Sequence, residues 1–288
     1  MAAREKSVVG PEVKEGRLLF ASEADLDREL GLLGVMSPAQ LDAWEKQIGF
    51  CSMRRSHCSE GRPASDAEGQ ELLEAVLSPS GILQVGRNAY RIDTANGIVL
   101  VAKDVDATSM KELERGKKGR RLLQYSTEES VIQAVESPEG SKGCCHETSS
   151  ATRSFHHYFP FTQPAGQPPL RLHVWIYNKN GGVVFTLSVR CRTQKLTGSA
   201  WSDWPLYGCE LRADLIASHV KPRCKPWEGK EIQKTITIDT NQQELFAECY
   251  SRTRGLYKYR VASTWSVRAS SSVPWQTSAQ FVSSWNYP

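Results

Sequence analysis

Long apolar runs are missing from this chain. Nothing in its 288 residues approaches the roughly eighteen consecutive apolar positions of a membrane-spanning helix, so no such span is expected. Acidic residues are missing from one whole stretch. Between Arg153 and Gly182 there is no Asp or Glu, although His156, His157 and His173 all lie there. An acid–base histidine needs an orienting carboxylate. The three are therefore read as ordinary surface or interior histidines, with Asp203 and Asp214 the long-range partners left open. Also absent are a Gly-x-Ser-x-Gly elbow, a Walker-type phosphate loop and a Gly-x-Gly-x-x-Gly turn. No catalytic residue, metal or cofactor is assigned. Tryptophan is nearly absent from the first half, which has only Trp44, whereas the other seven lie beyond residue 170.

The charge is as uneven as the tryptophan. Residues 1–145 carry 19 Lys/Arg and 23 Asp/Glu, a net of −4; residues 146–288 carry 17 and 9, a net of +8. A basic, Trp-rich half suits an acidic partner, and salt would weaken that attraction. The chain has eight cysteines, an even count that favours oxidising surroundings. Their grouping suggests a local Cys51–Cys58 disulfide and pairing among Cys191, Cys209, Cys224 and Cys249, with the three possible connectivities of those four left open. The start Met-Ala-Ala-Arg-Glu-Lys has no apolar signal segment. The expectation is a secreted or cell-surface protein whose leader has been removed; a cytosolic protein with free thiols is the alternative. Cys144-Cys145-His146 with His156-His157 invites a zinc reading, but adjacent cysteines seldom ligate one ion, and a disulfide framework or surface pair is favoured.

Pattern and punctuation divide the chain into a small α+β first domain, 1–135, a Ser/Gly/Pro/Thr-rich linker, 136–167, and a larger β-sandwich-like domain, 168–288. Ser22 and Ser37-Pro38 read as helix starts, and Ser65 opens a third helix whose buried face is Leu72, Leu73, Val76 and Leu77. A three-stranded meander follows, with Asn96-Gly97 as its hairpin signal. Helix-like segments at 109–115 and 128–135 complete the first domain. In the second, strands are expected at 171–178, 182–193, 208–217, 232–239, 245–251, 256–268 and 278–285.

Leu77-Ser78-Pro79-Ser80-Gly81-Ile82-Leu83-Gln84-Val85-Gly86 through Tyr90-Arg91-Ile92 resembles a meander of uncharacterised secreted proteins of Bacteroidetes-type bacteria. His173 through Gly181, followed by Thr186 through Lys195, resembles the β-domain of the same proteins. Together these cover about a quarter of the chain. The resemblance implies export and supplies no catalytic residue. Separately, Val189-Arg190-Cys191-Arg192 and Ser199-Ala200-Trp201-Ser202-Asp203-Trp204 look like the Arg-strand and Trp-Ser-x-Trp-Ser element of cytokine-receptor fibronectin-type domains, where guanidinium planes stack on Trp faces. Pro205 stands at the fifth position, and 84 residues follow Trp204, so this is read as convergence on the same Arg–Trp packing.

The best candidate contact patch from sequence is Arg252, Arg254, Tyr257, Lys258 and Arg260, joined by Trp285 in a Trp-rich terminal segment. Alternation along 256–262 places Tyr257 and Tyr259 on one face, Lys258 and Arg260 on the other. The basic run Arg115 to Arg121 lacks interleaved aromatics, so nucleic acid is not the expected partner. The expected function is a non-enzymatic surface or extracellular binding or assembly protein, meeting a protein partner, a second copy of itself or an acidic glycan. The alternative is a secreted glycan-active enzyme with Trp stacking platforms and a carboxylate pair.

Overall fold

The computed structural model describes residues 10–59, 71–116, 119–136, 152–162, 168–239, 243–268, 273–278 and 280–285. The chain is mostly β and falls into two compact units, divided between Ser126 and Thr127.

The first unit is built on a six-stranded sheet in sequential order: β1 (Glu12–Lys14), β2 (Arg17–Phe20), β3 (Ile82–Val85), β4 (Asn88–Asp93), β5 (Ile98–Ala102) and β6 (Leu122–Ser126). Neighbours are antiparallel except β2 and β3, which run parallel. A parallel pair needs a long crossover. Here it carries α1 (Glu23–Leu33), α2 (Pro38–Ile48), α3 (Met53–Ser59) and α4 (Glu71–Val76). Ser22 and Ser37 cap α1 and α2 through their side chains, as the sequence predicts, and Gln40 completes a capping box at Ser37. The start expected at Ser65 lies outside the described residues. Between α2 and α3 the buried Glu45 carboxylate accepts from Ser52 Oγ at 2.9 Å and Arg54 Nη2 at 3.0 Å, so a charge taken out of water is paired. The meander β3–β5 forms where predicted, with α5 (Ala107–Arg115) packed on it through Met110 and Leu113.

The second unit begins with α6 (Val131–Glu136), followed by β7 (Arg153–Phe161), β8 (Leu170–Asn180), β9 (Phe185–Thr197), β10 (Ala200–Asp203), β11 (Glu210–Pro222), β12 (Glu228–Thr237), β13 (Glu244–Arg252), β14 (Leu256–Arg268), β15 (Gln276–Thr277) and β16 (Phe281–Trp285). One antiparallel sheet joins β7, β8 and β9, with β10 and β13 both pairing β9; the other runs β12-β11-β14, with β15 and β16 both pairing β14. The two share one hydrophobic core. Leu172, Val174, Ile176, Leu187 and Val189 come from the first sheet; Leu211, Ile216, Tyr259, Val261 and Trp265 come from the second.

Two expectations are corrected here. The stretch 136–167, taken as linker, contains β7, which pairs β8 from Arg153↔Asn178 to Phe161↔Leu170. Phe155, Phe159 and Phe161 pack on the core, and that burial outweighs the turn-forming composition around them. The cysteine pairings also fail. Cys51, Cys191, Cys209 and Cys249 are free, the last three buried. Cys191 on β9, Cys249 on β13 and Cys209 all belong to the shared core as apolar side chains. Burial raises the thiols of Cys209 and Cys249 to about 12. Cys224 takes part in a disulfide, but with none of these four. The side chain of Cys58, and Cys144-Cys145-His146, lie outside the described residues.

Candidate functional site

Strand alternation gives the first sheet of the second unit two unlike faces. On β8, Leu172, Val174 and Ile176 enter the core, so Arg171, His173 and Trp175 share the opposite face. Register lines them up across the sheet: Tyr158, His173, Arg192 and Glu244 form one row; His156, Trp175, Arg190 and Phe246 form the next; Arg171, Gln194 and Asp203 form a third.

These side chains stack. The Arg171 guanidinium carbon lies 3.9 Å from the Tyr158 ring centre and 4.2 Å from that of Trp201. Tyr158 stacks on His173 at 4.7 Å, His173 contacts Trp175 at 4.7 Å, and Arg192 lies 4.3 Å over Trp175. The result is a continuous series from Trp201 through Arg171, Tyr158, His173 and Trp175 to Arg192. Each cation meets the negative face of a ring, an attraction of about 0.5–2 kcal/mol depending on exposure. Lys195 Nζ lies over Trp204 at 4.1 Å on the same β9–β10 hairpin.

A hydrogen-bonded chain runs beneath the stack. Gln194 Oε1 accepts from Arg171 Nε at 2.9 Å, and its Nε2 donates to Asp203 at 2.9 Å and to His173 Nδ1 at 3.4 Å. With Nδ1 accepting, His173 carries its proton on Nε2 and donates to His156 Nδ1 at 2.9 Å; His156 Nε2 in turn donates to Ser154 Oγ at 3.2 Å. Burial, then the neighbouring His156 and Arg192, hold the His173 pKa down to about 4. His173 is therefore a neutral stacking element at ordinary pH. The face's carboxylates are committed to guanidinium groups: Asp203 to Arg192, and Glu244 to Arg190 at 2.9 Å.

The residues of the contact patch expected from sequence have partners of their own. Arg252 pairs with Glu228 at 3.3 Å, and the Arg254 carbonyl accepts from Tyr250 Oη at 2.6 Å. Tyr257 and Tyr259 do not share a face, because the register between β11 and β14 shifts between Lys221 and Pro222. The extra residue sends Tyr259 into the core and leaves Tyr257 beside Lys221 and Lys258, at 4.8 and 5.3 Å. Arg260 is half-buried, facing His219 in register. Trp285 ends β16 opposite Tyr259; its side chain lies outside the described residues. The stack on the other sheet is therefore the stronger candidate. Its signal was present in Arg190, Arg192, Trp201 and Trp204, and in the i, i+2 spacing of Arg171, His173 and Trp175.

No family model matches this chain, and no curated protein matches it. Among solved structures it is similar to a DUF4848 family protein from Bacteroides thetaiotaomicron, at 11% identity over 93% of this chain and 98% of that chain, with a TM-score of 0.21. Among the described residues no helix is long and apolar enough to cross a membrane, which says nothing of a β-barrel.

Proposed function

We propose that the second unit is a non-catalytic binding module, a β-sandwich-like scaffold that meets an acidic partner through the stacked face of β7–β10. The observation that carries this is the accessible end of the series, Trp201–Arg171–Tyr158, seated on the buried His173 and Trp175. Rings and guanidinium groups held rigid before a partner arrives lose little side-chain entropy on binding, and Trp, Tyr and Arg dominate contact energetics for that reason. A surface or extracellular location remains part of the proposal, to be tested by fractionating the native source. It draws no support from the buried free thiols.

The test is retention of the full chain on immobilised polyanions at 20 and 200 mM salt. The double variant Arg171→Gln/Lys195→Gln is expected to lose most low-salt retention. Lys258→Glu/Arg260→Glu is expected to weaken it less, because that patch does not join the stack. Equal retention of parent and Arg171→Gln/Lys195→Gln would remove this face from the function. The glycan-active alternative gains no specific support, since Asp203 and Glu244 hold arginines in place.

A further inference from the structure

Among the described residues of the second unit, six arginines lie over aromatic rings: Arg171, Arg190, Arg192, Arg212, Arg252 and Arg268. Five of them also have a carboxylate partner. Arg190 and Arg192 have Glu244, Arg192 also has Asp203, Arg212 has Asp214, Arg252 has Glu228 and Arg268 has Glu210. Arg171 has none among the described residues, and the stretch of sequence around it holds no acid at all. Its Nε is bound to Gln194, and its guanidinium carbon lies over both the Tyr158 and the Trp201 ring. Among the described residues, that leaves the edge bearing both terminal nitrogens without a protein acceptor. A guanidinium fixed in plane, with that edge free, is arranged to donate two parallel hydrogen bonds to one carboxylate or sulfate.

We propose that Arg171 is an anion-reading site, and that its ligand is an acidic glycan carrying carboxylate or sulfate groups. This rests on the contact function proposed above and names its ligand class. The choice of glycan over acidic peptide follows from what surrounds the fork. Tyr158 is stacked with Arg171 and His173, but the neighbouring Trp204 is 45% exposed, and such a ring plane suits the flat C–H face of a sugar. A second cation, Lys195, lies over Trp204 and has no carboxylate partner among the described residues. The face thus offers the Trp204 ring and two cations, Arg171 on β8 and Lys195 on β9, which fits a chain of charged sugars better than one carboxylate.

The experiment is calorimetric titration of the full chain with four probes: a uronic-acid oligosaccharide, a sulfated oligosaccharide, a neutral oligosaccharide of the same length, and polyglutamate. Nitrogen-15 spectra of the arginine side chains are recorded alongside. At least one acidic oligosaccharide is expected to bind at least tenfold more tightly than the neutral one and to shift the Arg171 resonance. Whichever acidic sugar binds tells carboxylate from sulfate. Arg171→Lys, which keeps the charge and loses the fork, is expected to weaken binding at least tenfold while melting like the parent. The nitrogen spectrum tests the unaltered protein should that variant misfold. Unchanged affinity in a folded Arg171→Lys, or a motionless Arg171 resonance, overturns the site. Salt-dependent polyglutamate binding with no acidic sugar binding overturns the glycan while leaving the contact function standing. Failure of all three acidic probes overturns both.

Discussion

At the residue scale, His173 makes the clearest demand. Its folded pKa is about 4, whereas in the unfolded chain it returns to about 6.5. Between those values the unfolded state binds the extra proton, so stability falls as pH drops from about 6.5 towards 4 and the group adds no further slope below that. The groups facing it, His156, Arg192, Asp203 and Arg171, are the ones whose charge sets the size of the effect. Urea denaturation at pH 7, 5.5 and 4.5 should show a shallower pH slope for His173→Phe than for the parent; equal slopes would mean that another group sets it. Gly81 makes a different demand. It enters β3 with φ +79°, and an added Cβ would lie 2.8 Å from the Ile92 carbonyl oxygen. Gly81→Ala is expected to cost about 1–3 kcal/mol by equilibrium denaturation.

At the element scale, the β12 and β13 edges close on each other. Lys230 Nζ donates to the Glu248 carbonyl at 2.6 Å, and Lys234 Nζ donates to the Phe246 carbonyl at 2.9 Å. Edge lysines oppose strand addition by a second chain. Lys230→Ala/Lys234→Ala should therefore elute as larger species with rising concentration on size exclusion, where the parent should not. The terminal strand β16 is likewise occupied at home, pairing β14 from Tyr259↔Trp285 to Ser263↔Phe281. The sequence makes the seven main β8–β16 segments legible because their apolar alternation is long, and Asn96-Gly97 marks its hairpin directly. It hides β7 because Pro160 and the surrounding Ser/Gly/Pro composition read as loop; an edge strand tolerates proline. With β7 hidden, Tyr158 could not be placed beside Arg171, and the bulge at Tyr257 leaves no trace in the alternation.

At the scale of the whole molecule, the boundary after Ser126 changes the electrostatic expectation. Residues 127–288 carry 18 Lys/Arg and 13 Asp/Glu, a net of +5 in place of the +8 counted from residue 146. Acidic residues of 127–145, Glu128 and Glu129 among them, belong to the second unit. Long-range attraction to a polyanion is correspondingly weaker, so binding should depend more on the stacked face than on overall charge. The thiols give a test of the fold as a whole. Iodoacetamide should label Cys51 in native protein and reach Cys191, Cys209 and Cys249 only on denaturation, read by peptide mass mapping; native labelling of those three would contradict the shared core.

The opposite flank of the second unit is fastened differently. Gln276 accepts from the Thr162 amide at 2.7 Å and donates to the Thr162 carbonyl at 2.8 Å, tying positions 114 residues apart, whereas the lysine seam ties positions only 18 and 12 apart. Under mechanical load the two flanks are therefore not equivalent. A pull on the C-terminus reaches β16, β15 and the Gln276 clasp first. The lysine seam, between strands close in sequence, is loaded only afterwards. In a single-molecule trace Gln276→Ala should lower the first rupture force and leave the later ones unchanged.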